Sequence, residues 1–258
     1  MGKIGKIAVA PTVWTQFILA AALGTVIRRQ IDISGDRPAV LSYVDTHAGP
    51  GRLSPAAPLH AAMAAAGAAI GGSAYLAALE AASAEDWYPG SWLVAGRVMC
   101  DLARADDAVE IDVNDLSETV IEQARRNREA GRVRFWSHDW FLFLRSRLGM
   151  GNTPSFVFID PPADDPRGPA YAIDAAILLD TLSVPYMVSY PARECQECLD
   201  QVGRTGLELH LPGQDTGVML GGGAERALLH LVVELRRLAP ALGGDLVIRL
   251  PRHDDYCI

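Results

Sequence analysis

The sequence predicts an α/β fold, a mainly parallel sheet covered by helices on both faces. Three observations carry that prediction. Short apolar runs such as AVLSYVD at Ala39–Asp45 and SFVFID at Ser155–Asp160 read as buried strands. Segments of helical period separate these runs along the whole chain. The 258 residues are 50% hydrophobic and 21% charged, enough for the core of one domain spanning residues 1–258.

Taken in order, Trp14–Arg29 has a helical pattern ending in basic residues, which suit the negative end of a helix. The strand Ala39–Asp45 runs into the turn-forming cluster THAGPG. Leu59–Ala82 is alanine-rich and predicts a compact helical insertion, placed at residues 53–88. Trp87-Tyr88-Pro89-Gly90 breaks it, and Ser91 is expected to N-cap a helix reaching about Ala105. Strands follow at Ala108–Asp112, Val133–Trp136, Ser155–Asp160 and Tyr186–Tyr190. The helices between and after them are Leu116–Ala130, opened by a capping box of Asp115 and Glu118, then Trp140–Arg147, Tyr171–Leu182 and Ala192–Val202. Leu207–Leu211, Val218–Leu220 and Asp245–Leu250 read as strands, with a helix at Ala224–Leu238 and a loop at Gly221-Gly222-Gly223.

The net charge is −8, and Lys3 and Lys6 are the only lysines, so lysine-rich wrapping of duplex DNA is excluded. Cys100, Cys195, Cys198 and Cys257 make no disulfide scaffold, and the pair Cys195/Cys198 lacks a second pair to complete a zinc site. His47, His60, His138, His210, His230 and His253 are scattered without ligand spacing, so no metal is expected. The apolar stretch Ala61–Leu79 is mainly alanine and glycine and predicts a packed helix, not a membrane span. The opening residues lack the apolar core and cleavage site of a signal peptide, and the expected location is cytoplasmic.

In such a sheet, ligands gather at the carboxyl ends of the strands. Four ends carry suitable side chains. At Asp45-Thr46-His47-Ala48-Gly49-Pro50-Gly51, an acid is followed by two glycines that allow a tight turn under a ligand. Asp112 is read as the acid that accepts from ribose hydroxyls. It stands 61 positions after Gly51, against a usual interval of about 20, and the insertion accounts for the excess. In Ser137-His138-Asp139-Trp140, Asp139 is placed to bond an adenine amino group and Trp140 to pack near the base. Asp160-Pro161-Pro162 is the sharpest of the four. Proline fixes φ and pushes the preceding residue to an extended shape, giving a rigid exit from which a carboxylate and a backbone carbonyl both point outward. Two acceptors aimed at one site suit an amino group whose nitrogen attacks a methyl carbon.

YVDTHAGPGRL, the YPGS at Tyr88–Ser91, the EID ending at Asp112, the FIDPP ending at Pro162 and the YMVSYP ending at Pro191 together resemble the RlmJ family. Its members are S-adenosylmethionine-dependent methyltransferases acting on N6 of an adenine in 23S ribosomal RNA. The resemblance runs in order from about Val40 to the end of the chain. It implies a class I methyltransferase fold with a helical insertion, S-adenosyl-L-methionine as cofactor and 23S rRNA as partner. It further implies that Thr46, His47, Gly49, Ser91, Asp112, Asp139 and Asp160 line the cofactor pocket, and that Asp160, with Pro161, holds the target amine.

The chain departs from the family at the substrate end. Where the family has an aromatic residue after D-P-P, to stack on the flipped-out adenine, this chain has Ala163 followed by Asp164 and Asp165. Stacking of that kind is worth about 1–3 kcal/mol, and Tyr171, Trp140 and Tyr190 are the rings that could replace it. PTVWTQFIL also lacks the histidines and Lys-His pair of the family's first helix. Arg125, Arg126, Arg128, Arg132, Arg134, Arg145 and Arg147 form the best electropositive window, although a solvated face is the commoner meaning of such a run. Two alternatives therefore stand beside RNA methylation: a cofactor-binding protein that no longer methylates, and a methyltransferase for a non-RNA amine.

Overall fold

Val9–Ser34 forms a 26-residue helix, α1, longer at both ends than its sequence pattern suggested. By length and hydropathy it would pass for a membrane span, a reading that the sequence raised only for the alanine-rich stretch. Here α1 is a core helix: Val13, Trp14, Phe17, Ile18, Leu19, Leu23 and Ile27 are all buried. A helix that is apolar most of the way round needs partners on several sides, and each such side chain contributes roughly 1.5–3 kcal/mol when buried. The structure is a computed structural model that describes residues 9–54, 57–67, 69–80, 87–129, 132–149, 151, 153–162, 165, 167–192, 200 and 202–251.

The remaining elements are β1 (Val40–Asp45), β2 (Arg52–Leu53), α2 (Ala57–Gly67), α3 (Ala74–Glu80), β3 (Tyr88–Pro89), α4 (Ser91–Leu102) and β4 (Ala108–Asn114). Then come α5 (Glu118–Arg126), β5 (Arg132–Trp136), α6 (Trp140–Gly149), β6 (Phe156–Ile159), α7 (Gly168–Thr181) and β7 (Tyr186–Tyr190). The chain continues with β8 (Gly206–Leu211), β9 (Gln214–Gly221), a 3-10 turn at Ala224–Ala227, α8 (Leu228–Ala241) and β10 (Asp245–Arg249). The helix expected over Ala192–Val202, with Cys195 and Cys198, lies largely outside the described residues, as do Ala163 and Asp164.

Eight strands form one sheet in the order β10-β8-β9-β7-β6-β1-β4-β5. Strands β1, β4, β5, β6 and β7 are mutually parallel, β9 runs antiparallel to both β7 and β8, and β10 antiparallel to β8. From β1 the chain first builds outward through β4 and β5, then returns to lay β6 and β7 on the other side. The order therefore reverses between β1 and β6, and their carboxyl ends open a crevice there. On one face α1, α4, α5 and α8 share a core with the insertion; on the other, Phe143 and Leu144 of α6 pack with Ala172, Ala175 and Leu179 of α7.

The alanine-rich stretch, expected as one helix, is two. Gly71 and Gly72 interrupt it, Gly72 at φ +76°, and Ser73 restarts the helix by accepting from the Leu76 amide (3.3 Å). It leaves and rejoins the domain through a short antiparallel ribbon pairing Arg52 with Pro89 and Leu53 with Tyr88. A buried polar knot ties it to α1. Tyr75 donates to Gln16 Oε1 (3.2 Å), Gln16 Nε2 donates to the Pro89 carbonyl (3.0 Å), and Tyr75 also meets the Tyr88 hydroxyl.

Two capping expectations are corrected. Ser91 is the first residue inside α4, with Gly90 at the cap, so its hydroxyl is free for another partner. Helix α5 is capped by Ser117, whose hydroxyl accepts from Val120 N (3.4 Å), and not by Asp115.

Candidate active site

The crevice is lined from β1 outward. Asp45, at the end of β1, is fully buried and accepts from the Ser91 hydroxyl (2.6 Å), the Tyr43 hydroxyl (3.0 Å) and the His47 amide (3.2 Å). Burial raises its pKa to about 7, against those hydrogen bonds and with a smaller push from the Asp160 charge. Thr46 Oγ1 lies 3.2 Å from the Phe158 carbonyl and 2.8 Å from Nδ1 of His47, and the ring tautomer follows from which of the two takes the hydroxyl proton. Nε2 is buried and makes no hydrogen bond, and burial lowers the His47 pKa to about 4, so the ring is neutral at pH 7.

Two glycines shape the turn. Gly51 sits at φ +80° with its Cα against the Trp92 indole; a Cβ there would come within 2.3 Å of the ring. Gly49, at φ +60°, has nothing within 4 Å of a Cβ, so the chain leaves open space above it. Its amide donates to Asp115 Oδ2 (3.3 Å). Behind the turn, the buried Asn114 amide donates to the carbonyls of Thr46 and His138 (both 3.1 Å) and accepts from the His138 amide (3.1 Å), knitting the loops after β1 and β5.

Asp112 is not part of this mouth. It lies two residues inside β4, only 2% exposed, in a cavity of about 260 Å³ that reaches Val40 at the start of β1. Its carboxylate accepts from Arg134 Nε and NH2 (both 2.8 Å), Arg147 NH2 (2.9 Å) and Trp136 Nε1 (3.0 Å), which leaves no place for a ribose. The acid that does stand at the end of β4, facing the glycine turn, is Asp115. The sequence carried the signal: apolar Val109, Ile111 and Val113 alternate with polar Glu110, Asp112 and Asn114, so the strand's period runs on to Asn114.

Asp139 caps α6, its Oδ1 accepting from Phe141 N and Leu142 N (both 3.1 Å). Trp140, next to it, packs against His47 with ring centroids 5.2 Å apart, and its indole Nε1 is buried without a hydrogen bond. Tyr171 stacks on Phe141 at 4.9 Å. Tyr190 donates to the buried Glu208 (3.3 Å) and lines the crevice with most of its ring buried.

Asp160, at the exit of β6, opens to the crevice and accepts from the Ser189 hydroxyl at the end of β7. The chain packed around it raises its pKa, chiefly through burial, with Ser189 opposing. Asp160 is common to two adjoining cavities. One, of about 350 Å³, is lined by His47, Gly49, Ser91 and the first turns of α1. The other, of about 470 Å³, is lined by Pro161, Pro162, Ser189, Pro191 and the β8–β9 hairpin. Pro11, Asp160 and Thr216 line both, so they form one cleft. The residues at α1 and the hairpin, and Ser189, were not singled out in the sequence.

No protein-family profile and no curated protein sequence matches the chain. Among solved structures it is similar to protein LPL1258 of Legionella pneumophila, from the DUF519 family, with a TM-score of 0.68 at 17% identity, covering 94% of this chain and 97% of that one. That likeness is one of fold, a mainly parallel sheet with helices on both faces. Two looser matches have TM-scores of 0.38. A protein described as a possible methylase from Clostridium difficile is 16% identical, over 77% of this chain and 52% of that one. A class I S-adenosylmethionine-dependent methyltransferase candidate from Listeria monocytogenes is 9% identical, over 84% and 70%. Neither is close enough to bear on the site.

Among the described residues that line the two halves of the cleft, none belongs to the arginine window. Arg134 and Arg147 line the separate cavity that reaches Val40 at the start of β1, and α5 ends where Asn127 donates to the Pro50 carbonyl (2.8 Å). Several are already paired: Arg125 with Glu122, Arg132 with Glu110, and Arg134 and Arg147 with Asp112.

Proposed function

We propose that this chain is an S-adenosylmethionine-dependent methyltransferase acting on an amine nitrogen. The observation that carries the reading is Asp160, a carboxylate anchored by Ser189 at a rigid Pro-Pro exit and open to a nucleoside-sized cleft beside a glycine turn. Several features suit the cofactor. Asp115 is placed for ribose hydroxyls, and the open space above Gly49 lets a ligand approach the backbone. Trp140 Nε1 and His47 Nε2 are buried polar atoms without a hydrogen bond near the loops that would hold it. Ser91 and the first turns of α1 line the same cavity as Gly49.

The cofactor, when bound, supplies a methyl group already made electrophilic by its sulfonium. The chain's own residues then have positioning work to do. Asp160 accepts hydrogen bonds from the amine and directs its lone pair, while the prolines on either side exclude water. Adenine N6 of 23S rRNA, the acceptor implied by the RlmJ resemblance, satisfies that chemistry at the nitrogen itself. The decisive experiment is calorimetry with S-adenosylmethionine, followed by transfer of labelled methyl to an acceptor pool. No binding at millimolar cofactor would remove the reading.

A further inference from the structure

We infer that the chain carries a second ligand site, at the amino ends of β6 and β7, for a small molecule bearing a phosphate monoester. It lies at the opposite end of these strands from Asp160 and Ser189, and its occupancy is independent of methyl transfer.

A cavity of about 340 Å³ opens there, a volume within the range of small-molecule sites. Its walls come from the last turns of α1, the segments entering β6 and β7, and the loop leaving β9. Arg29 and Arg226 are the charged members of its described lining, and both are exposed.

Neither guanidinium has a structural task. Basic residues suit the negative end of a helix, but α1 runs on to Ser34 with no base in its last turn, so Arg29 stands before the turn where that dipole acts. Among the described residues, neither arginine makes an ion pair. Asp32, three positions after Arg29, does not line the cavity. The acids near Arg226 are turned to other partners. Glu225 accepts from the Gly223 amide (2.8 Å) and lies 4.0 Å from Arg204, while Asp180 accepts from Arg204 (2.6 Å) and from the Gly222 amide (3.1 Å). Two positive charges thus share one cavity with no acid in its described lining, an arrangement that an anion would relieve.

The chemistry of the lining selects the anion. Guanidinium groups match phosphate oxygens in geometry, and two of them balance the charge of a monoester, where a carboxylate would leave one unmatched. Thr153 and Ser183 line the cavity with hydroxyls that have no partner among the described residues, and these supply further donors. A Cβ on Gly223, at φ +109°, would meet nothing within 4 Å, so the loop leaves the cavity open on that side. Val26, Ile33, Pro154 and Pro185 form an apolar wall for the rest of the molecule, and Ile33, 69% exposed, would shed water on binding.

The test titrates the full chain by calorimetry with phenyl phosphate, a monoester with an apolar body. The expected result is saturable binding that Arg29→Gln and Arg226→Gln each weaken about tenfold or more, as loss of one charged partner of a phosphate should. Arg236→Gln, at an exposed arginine of α8 outside the cavity, should leave the affinity unchanged. Melting curves would record that all three variants keep the fold. Absence of saturable binding overturns the inference, as does a smaller loss at either lining position or an equal loss at Arg236→Gln. Benzoate bound as tightly as phenyl phosphate would overturn the choice of phosphate. Displacement of phenyl phosphate by hexauridylate without terminal phosphates would overturn the choice of a monoester.

Discussion

The Gly49 amide and the Asp115 carboxylate meet at 3.3 Å across the ends of β1 and β4, joining the turn that would run under a cofactor to the acid that would hold its ribose. Asp112, three residues earlier, is committed to Arg134 and Arg147. The two acids therefore separate by experiment. Asp115→Ala should weaken S-adenosylmethionine binding about ten- to a hundredfold, with a stability loss of about 1–2 kcal/mol from the Gly49 (3.3 Å) and Ser117 (2.9 Å) amides it holds. Asp112→Ala should spare that binding, costing about 1–3 kcal/mol of stability, since Arg147 and the Trp136 indole lose this acceptor while Arg134 keeps Glu110 (2.9 Å). Calorimetry and denaturant unfolding of both variants would show it; a loss of affinity confined to Asp112→Ala would restore that residue to the site.

Asp45 and His47 make opposite contributions to the pH dependence of stability. The Asp45 pKa is raised from 3.8 to about 7 by burial, so the folded state holds a proton that the unfolded chain has lost. Its contribution is fully present below about pH 4 and disappears as pH rises to 7, on the order of 4 kcal/mol. The His47 pKa is lowered from 6.5 to about 4, so its contribution is present above 6.5 and is lost on acidification through 4. Between those limits the two oppose. Relative to wild type, His47→Gln should grow less stable as pH rises from 4 to 7, and Asp45→Asn less stable as pH falls from 6.5 to 4. Urea midpoints at four pH values would decide; parallel curves for all three proteins would refute the assignment.

Gly51→Ala should destabilise the fold by roughly 2–5 kcal/mol, since the added methyl meets a buried indole in a left-handed backbone conformation. Gly49→Ala shares the conformational strain but has open space around it, so its stability loss should be clearly smaller, near 1–2 kcal/mol. Equal losses at the two positions would show that the Trp92 contact is not what constrains the turn.

Asp160→Asn should keep the fold and cofactor binding but slow methyl transfer by about a hundredfold or more. The change removes the charge while keeping an acceptor for Ser189. Single-turnover rates with labelled cofactor provide the measurement, and wild-type rates in the variant would contradict the amine-holding role.

The parallel sheet was legible in the sequence because strands buried on both faces read as uninterrupted apolar runs, as in Phe156–Ile159 and Tyr186–Tyr190. At β4 the signal was of another kind. Its polar face is satisfied by arginines from β5 and α6, so Asp112 reads as a strand's end until those partners are known. Serine prefers the cap position, yet Gly90 caps α4 and the Ser91 hydroxyl serves Asp45 instead. The cleft's far wall, from α1 and the β8–β9 hairpin, depends on contacts between segments some two hundred residues apart, which local pattern does not encode.

The ribbon at Arg52–Leu53 and Tyr88–Pro89 brings both ends of the insertion side by side. Lengthening the segment is therefore cheap, since each doubling of a closed loop adds only about 0.6 kcal/mol of chain entropy. What resists drift is the knot of Gln16, Tyr75 and Tyr88, which fastens this appendage to a helix that borders the cleft. The graft is thus free in size but moored in position.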